Sequence, residues 1–435
     1  MKWRSNPASS SSSYGSATLL KSADKGYMFN SGYSYYYGEG EMDGDTGGSS
    51  EEIAGSVVKI FKFSDSSDPE EIGNVKLEMP QEENSDYYYY GYNSSAVTDN
   101  GVLAFTESNW DYYYPENDCY ENTQDCEGKG DGFGINMVDI YAYDLSDPTV
   151  EKASSVKISV NNRVPDYDAR LFADGNTLWH SRCERKGLDE KDREILYCYA
   201  VPIDMSKTSE PKIGKKINIP GKVIGLSKDG QYMYTSHYSW RDGIDDDDDY
   251  YYNNRYIQTL YILKFNSDKT KVSVVKRISV PNEYESTEEM YRYKYSDFIV
   301  KDKRVFVQTR ETTYHYQESE CSYWYYSNRD TDMNIQVFRA EDGMRIFSQT
   351  YENGSRTASV ENGGFLISIE DNENSYYGYS DSNEMVYISS EGIEKKLELS
   401  EKTYGYYSYS LDAAVIGDDL YVARDWNGIE KISLK

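Results

Sequence analysis

Residues 171–182 read LFADGNTLWHSR. A polar step, Asp174-Gly175-Asn176, separates two short apolar runs, and Asp, Gly and Asn tolerate the positive backbone angles of a hairpin turn. The runs on either side read as strands. The same pattern recurs in SADKGYMF (Asp24 to Gly26), VTDNGVLAF (Asp99 to Gly101) and SKDGQYMY (Asp229, Gly230). It returns in VKDKRVFV (Asp302, Lys303), VENGGFLI (Asn362 to Gly364) and VIGDDLYV (Gly417 to Asp419), making seven hairpins. Successive turns lie roughly 55 to 75 residues apart, which is long for one unit of a repeat array unless loops are inserted.

A third apolar run follows each hairpin: Val57–Phe63, Val138–Asp144, Ile195–Val201, Gln258–Phe265, Asn334–Ala340, Met385–Ser389 and Gly428–Leu434. Six are followed by a more polar run, VKLEMP, SVKISV, KKINIP, VKRISVP, RIFSQTY and KKLELS. Val, Ile, Tyr and Phe suit half-buried antiparallel strands, and the outermost strand of a sheet is the most polar. Four strands per unit, repeated radially, predict an all-β, seven-bladed β-propeller spanning residues 1–435 as one domain. The seventh unit lacks its outer strand. Met1–Ser5, ahead of a flexible serine-rich linker within residues 1–15, can fill that edge; a three-stranded last blade is the alternative.

Acidic residues outnumber basic ones 75 to 46, for a net charge of −29. That excess opposes binding to phosphate backbones and anionic membrane surfaces, so nucleic acid is not an expected partner. No apolar run approaches the length that spans a bilayer, and residues 1–13 lack the apolar stretch of a signal peptide. The sequence therefore reads as a mature or excised part of a secreted precursor.

The five cysteines support that compartment. Cys119 and Cys126 lie in a polar loop where free thiols have no packing role. Cys183 and Cys198 sit in adjacent strands of one unit and can face each other across a hairpin. Two local disulfides imply an oxidising environment, leaving Cys321 unassigned. The three histidines fall in three different units, so no zinc motif is present.

The connection after the third strand carries a recurring phrase: YDLSDP (Tyr143–Pro148), FSDSSDP (Phe63–Pro69) and IDMSKTSEP (Ile203–Pro211). It resembles the secreted bacterial propellers with LVIVD-type repeats, in which a strand ends in a Tyr-Asp-x-Ser-Asp-Pro turn. That resemblance implies the fold and an extracellular setting; a fold alone supplies no activity.

Loop length and composition carry the functional reading. First-to-second and third-to-fourth connections are short. Second-to-third and fourth-to-first connections are long and hold most of the 47 tyrosines beside dense carboxylates. They include Tyr33–Gly48, Glu83–Ser95, Trp110–Cys126, Trp240–Asn254, Tyr284–Ser296, His315–Asp330, Asp371–Glu384 and Glu401–Ser410. Tyrosine offers a flat apolar ring with a polar tip at little conformational cost. Rings beside carboxylates suit sugars, and they suit Lys- or Arg-rich segments through cation–π contacts and ion pairs. The expected binding residues are Tyr87, Tyr88, Tyr89, Tyr90, Tyr112, Tyr113, Tyr114, Trp240, Tyr250, Tyr251, Tyr323 and Trp324. A plainer role, loops packing on one another, accounts for any single tyrosine run.

Calcium is the expected cofactor, if any: Asp43 and Asp45 alternate as oxygen ligands, and Asp245, Asp246 and Asp247 concentrate charge that a cation would neutralise. A solvated acidic loop is the simpler explanation of the second cluster. No nucleophile elbow or phosphate-binding glycine loop occurs. The expected function is an extracellular or cell-surface binding or assembly module for glycans or protein partners, without membrane insertion; a place in a larger surface assembly fits the same reading. A carboxylate-dependent glycan hydrolase or lyase and a purely structural subunit are the alternatives.

Overall fold

The structure, a computed structural model, describes residues 15–22, 25–32, 34–35, 55–64, 67–78, 89–90, 92–111, 135–159, 170–188, 194–240, 256–286, 290–317, 325–360, 364–369, 384–398, 411–416, 418–424 and 428–434. Every regular element among them is a β-strand. The strands form seven successive antiparallel sheets and one two-stranded ribbon. In each sheet, sequence neighbours pair in an up-and-down meander, the blade topology of a β-propeller.

Blade 1 comprises Gly15–Ser22, Lys25–Gly32, Gly55–Ser64 and Ser67–Glu78. Blade 2 comprises Tyr92–Val97, Val102–Asp111, Ile135–Asp144 and Ser154–Ser159. Blade 3 has Arg170–Asp174, Thr177–Leu188 and Glu194–Asp204, with an outer strand broken into Lys212–Ile213 and Ile217–Ile219. Blade 4 comprises Lys222–Leu226, Tyr232–Trp240, Tyr256–Phe265 and Val272–Pro281. Blade 5 is five-stranded: Glu283–Ser286, Met290–Lys301, Arg304–Gln317, Tyr325–Arg339 and Arg345–Glu352. Blade 6 comprises Gly354–Ser359, Phe365–Ile369, Glu384–Ile388 and Glu394–Glu398. Blade 7 shows Leu411–Ile416, Asp419–Arg424 and Gly428–Ser433. The expected closing strand, Met1–Ser5, lies outside the described residues.

The chain divides into two compact units, Ala8–Val223 with blades 1 to 3 and Ile224–Lys435 with blades 4 to 7. Within each, alternate residues of a middle strand serve alternate interfaces. Leu103 and Phe105 pack with Tyr27, Phe29 and Ile60 of blade 1, while Val102 and Ala104 pack with Leu171 and Leu178 of blade 3. Burial on both faces explains why this strand begins as an unbroken apolar run, VLAF. Phe105 meets Phe29 edge-on at 5.0 Å between ring centroids, and burying such a side chain contributes about 1.5–3 kcal/mol. In the second unit Phe306 stacks on Phe365 at 4.8 Å across the interface of blades 5 and 6.

The short connections interlock. In five blades, with the strands of blade 5 counted from Met290–Lys301, the end of the third strand donates a backbone N–H to the first hairpin of the same blade: Leu145 to Gly101, Met205 to Asn176, Phe265 to Gln231, Ala340 to Lys303 and Leu434 to Asp418. The Tyr-Asp-x-Ser phrase has a local cause. Asp144 accepts from the backbone N–H and hydroxyl of Ser146, and Asp204 accepts from the N–H of Ser206, closing Asx turns. The intervening residue is thereby turned inward: Leu145 and Met205 are fully buried. Turns also bond blade to blade. Asn100 donates its side-chain amide to the Met205 carbonyl and its N–H to Asn176. In the second unit Lys228 N–H donates to Asp302, and Lys303 pairs with Asp229 at 2.7 Å. Burial alone would raise the Asp229 carboxyl, but its bonds to Lys303, Ser227 and Gln231 hold it below the usual range.

One expected loop is corrected. Tyr284–Ser296 is a β-hairpin, in which Glu283–Ser286 pairs with Tyr291–Lys294. The flanking strands of blade 5 also run on into His315–Asp330, reaching Gln317 and resuming at Tyr325. Alternating tyrosines are strong strand formers, and here propensity outweighs polarity.

Gly73, on the outer strand of blade 1, lies against Pro148 of the blade 2 turn, where an added Cβ would overlap the Pro148 carbonyl oxygen and sit 2.8 Å from its Cβ. Gly73→Ala is expected to destabilise by about 1–3 kcal/mol through overpacking. Gly175, at φ 58° with nothing near its Cβ position, should accept Asn with a change under about 0.5 kcal/mol, since Asn tolerates that region. Thermal melts of the two variants make the comparison.

Candidate functional site

Two of the long connections come together. Ser34–Tyr35, from the second-to-third connection of blade 1, pairs with Tyr89–Tyr90, from the connection into blade 2, with Tyr35 opposite Tyr89. The backbone of two expected binding residues is thus held in a ribbon. Trp240 ends the second strand of blade 4, opposite Tyr256. The remaining expected binding residues, Tyr87, Tyr88, Tyr112, Tyr113, Tyr114, Tyr250, Tyr251, Tyr323 and Trp324, lie outside the described residues. So do Asp43, Asp45, Asp245, Asp246 and Asp247, and Cys119, Cys126 and Cys321.

Blade 5 carries the clearest aromatic and charged surface among the described residues. Its second-to-third-strand end holds Tyr293 stacked on Tyr314, ring centroids 6.2 Å apart and planes 27° apart. Tyr295 is 41% exposed. Across four strands runs one cross-strand row: Lys294, Glu311, Asp332 and Glu352. Lys294 and Arg292 both reach Glu311, at 3.5 and 3.4 Å. Asp332 has no such relief. Burial, then the neighbouring charges of Glu352, Glu311 and Asp330, push its carboxyl above the usual range. A row of three carboxylates can accept hydrogen bonds from hydroxyls and attract cations; Tyr293 and Tyr314, opposite Thr312 and Tyr291 in register, belong to the other face of the sheet. Sequence reading missed the first of these strands because its alternation was taken for loop composition, and a period-2 count over residues 290–296 would have found it; the row itself depends on the register of four strands.

Among the described residues, no group of three or more His, Cys, Asp and Glu is arranged to hold a metal ion. The histidines lie on strands of three separate blades, as their spacing indicated. His180 is fully buried on the second strand of blade 3, between Leu171 and Val201. Neither ring nitrogen has a hydrogen-bond partner. Burial, then the charge of Arg182, pushes its pKa down to about 3.

Cys183 and Cys198 form the expected disulfide across that same blade. They are directly opposite in register with Cα atoms 4.0 Å apart, the close spacing of a pair that exchanges no backbone hydrogen bonds.

No protein-family model matches this chain, and no curated protein does. Solved structures similar to it at low identity include propellers. The β-propeller domain of the Trilobed protease from Pyrococcus furiosus is 12% identical, with a TM-score of 0.35 over 79% of this chain and 85% of that one. Trypanosoma rangeli sialidase is 10% identical, TM-score 0.29, over 79% and 54%. Drosophila Semaphorin 2a is 8% identical, TM-score 0.29, over 97% and 75%. At such overlap the fold rests on strand order and register.

Two measurements follow from blade 3. Cys183 and Cys198 should resist alkylation until reduced, and replacing both with serine should cost about 2–4 kcal/mol, given the 15-residue separation. For His180, the unfolded chain takes up a proton below about pH 6.5 while the folded chain does so only near pH 3. Its contribution to stability is therefore intact above about pH 6.5 and lost progressively as pH falls towards 3. His180→Leu should remove that dependence, gaining about 2 kcal/mol on the native protein between pH 7.5 and 5. Melting temperatures across that range are the check; parallel curves would refute it.

Proposed function

We propose that this protein is an extracellular or cell-surface binding or assembly module that uses its tyrosine- and carboxylate-rich long connections to bind glycans or protein partners. The observation that carries this reading is the division of labour between connection classes. Short connections are consumed by turn-to-turn hydrogen bonds within and between blades. Long ones carry tyrosine beside carboxylate, and where they are described they are built on strands: the Tyr35–Tyr89 ribbon and the blade 5 hairpins. Insertions of this length are costly to order unless used, and sheet scaffolds commonly place binding on such loops.

The Cys183–Cys198 disulfide supports an oxidising compartment. The resemblance of the Tyr-Asp-x-Ser-Asp-Pro phrase to LVIVD-type secreted propellers points the same way. In this reading calcium orders the acidic segments around Asp43 and Asp45 and around Asp245, Asp246 and Asp247. The cross-strand row of Glu311, Asp332 and Glu352 favours a second reading, a carboxylate-dependent glycan hydrolase or lyase, because that chemistry uses neighbouring carboxyl groups.

Replacing Tyr87–Tyr90 with serine and, separately, Asp245–Asp249 with asparagine tests the first reading on a glycan array and on intact cell surfaces. Both variants should keep the wild-type strand spectrum and lose binding, and the second should also lose a calcium-dependent rise in melting temperature. Unchanged binding with lowered stability in the tyrosine variant would make those loops packing elements of a structural subunit. Release of reducing sugar from a bound glycan, abolished by Asp332→Asn, would establish the second reading instead.

A further inference from the structure

In the second unit, between the outer strand of blade 5 and the face of blade 6, lies a groove of about 370 Å³. One wall is Gln349–Glu352, the end of an outermost strand; the other is formed by Glu384–Val386 and by Glu394 and Lys396–Glu398. Ile369 and Val386, which pack in the core between the two blades, give it an apolar floor. Around that floor stand four glutamates, Glu352, Glu384, Glu394 and Glu398, against one lysine, Lys396.

The groove is polarised along its length by the register of blade 6. Glu384 and Glu398 are cross-strand partners beside Ile369, Lys396 lies opposite Val386, and Glu394 opposite Ile388. At the Glu394 position the groove is braced by Tyr351, whose hydroxyl donates to the carboxylate at 2.9 Å. Burial, then that bond, push the Tyr351 phenol up, so it remains a neutral donor through the physiological range. Glu352 and Glu398 make no ion pair among the described residues, and both are exposed.

We propose that this groove is a docking site for an extended, lysine- or arginine-bearing segment of a protein partner. The inference rests on the binding-module reading and names a partner class for it. Charge complementarity selects the occupant. A long basic side chain can lay its methylene stem on Ile369 and Val386 while its cationic head reaches Glu384 and Glu398. Two outer strands, Arg345–Glu352 and Glu394–Glu398, bound the site and leave edge backbone groups for an extended chain to pair with. The volume is at the lower end of the ~300–1,000 Å³ typical of ligand sites, which suits one or two side chains.

The experiment titrates the full chain with a short peptide of alternating lysine and valine, read by fluorescence anisotropy. Wild type should bind, weakening as salt rises from about 20 to 150 mM. The double variant Glu384→Gln/Glu398→Gln should weaken binding roughly three- to tenfold, as expected for two solvent-exposed pairs. Lys396→Glu should strengthen it by a similar factor. A charge-matched control in the other unit, Glu151→Gln/Glu210→Gln, should change it less than about twofold. Equal weakening in groove and control variants would show attraction to the net charge of the chain and overturn the proposal, as would indifference to Lys396→Glu. The broader reading fails separately. If the tyrosine and aspartate loop variants leave glycan and cell-surface binding intact while groove variants still weaken the peptide, the groove stands alone. If the reverse holds, the groove falls and the loop face remains.

Discussion

Much of this architecture depends on one constraint: the turn that ends each third strand must bond back to the hairpin that begins its blade. Five blades satisfy it with the same N–H donation, from Leu145, Met205, Phe265, Ala340 and Leu434. The bond does two things. It satisfies backbone groups at the ends of strands that would otherwise face water or go unpaired, and it aims the donor residue into the neighbouring core, as with Leu145 against blade 1 and Met205 against blade 2. Because the phrase must make an Asx turn and then bury a side chain, Asp144 and Asp204 are fixed chemically while the residue between is fixed only as apolar. Degenerate repeats are the result.

That constraint gives the two connection classes different freedoms. A turn committed to its own hairpin, and to its neighbour's through Asn100 or Lys303, has little room for insertion. Gly73, pressed against Pro148, shows how tight the fit is. The second-to-third connections carry no such obligation and can lengthen; the fourth-to-first connections, also expected to be long, are only one or two residues after blades 3, 4 and 5. Blade 5 turns that freedom into extended strands, with the charged row from Lys294 to Glu352 on one face and the stacked Tyr293 and Tyr314 on the other. Packing of the blade 6 face against the end of Arg345–Glu352 then leaves the acidic groove.

Blade 3 departs from the pattern in another way. Its middle strands carry a cross-strand disulfide and, three positions before Cys183, a buried histidine without a partner. An unpaired imidazole in an apolar interface is tolerated only while neutral. The covalent link and the acid-sensitive side chain therefore lie on the same strand, and reduction and acidification would both loosen that blade.

The sequence by itself determined the number of hairpins, the all-β class and the Cys183–Cys198 pair. These depend on local turn chemistry and a period of two, which neighbouring residues specify without help. It also marked which connections are long and what they are made of. It did not reveal that Tyr284–Ser296 is a hairpin, because tyrosine-rich polar runs fit loop composition and strand propensity equally well; pairing with Arg304–Gln317 settled that. Nor did it reveal the row of Glu311, Asp332 and Glu352, the isolation of His180, or the groove beside Tyr351. Each joins residues from different strands or blades, and only register and the packing of one sheet on the next bring such residues together.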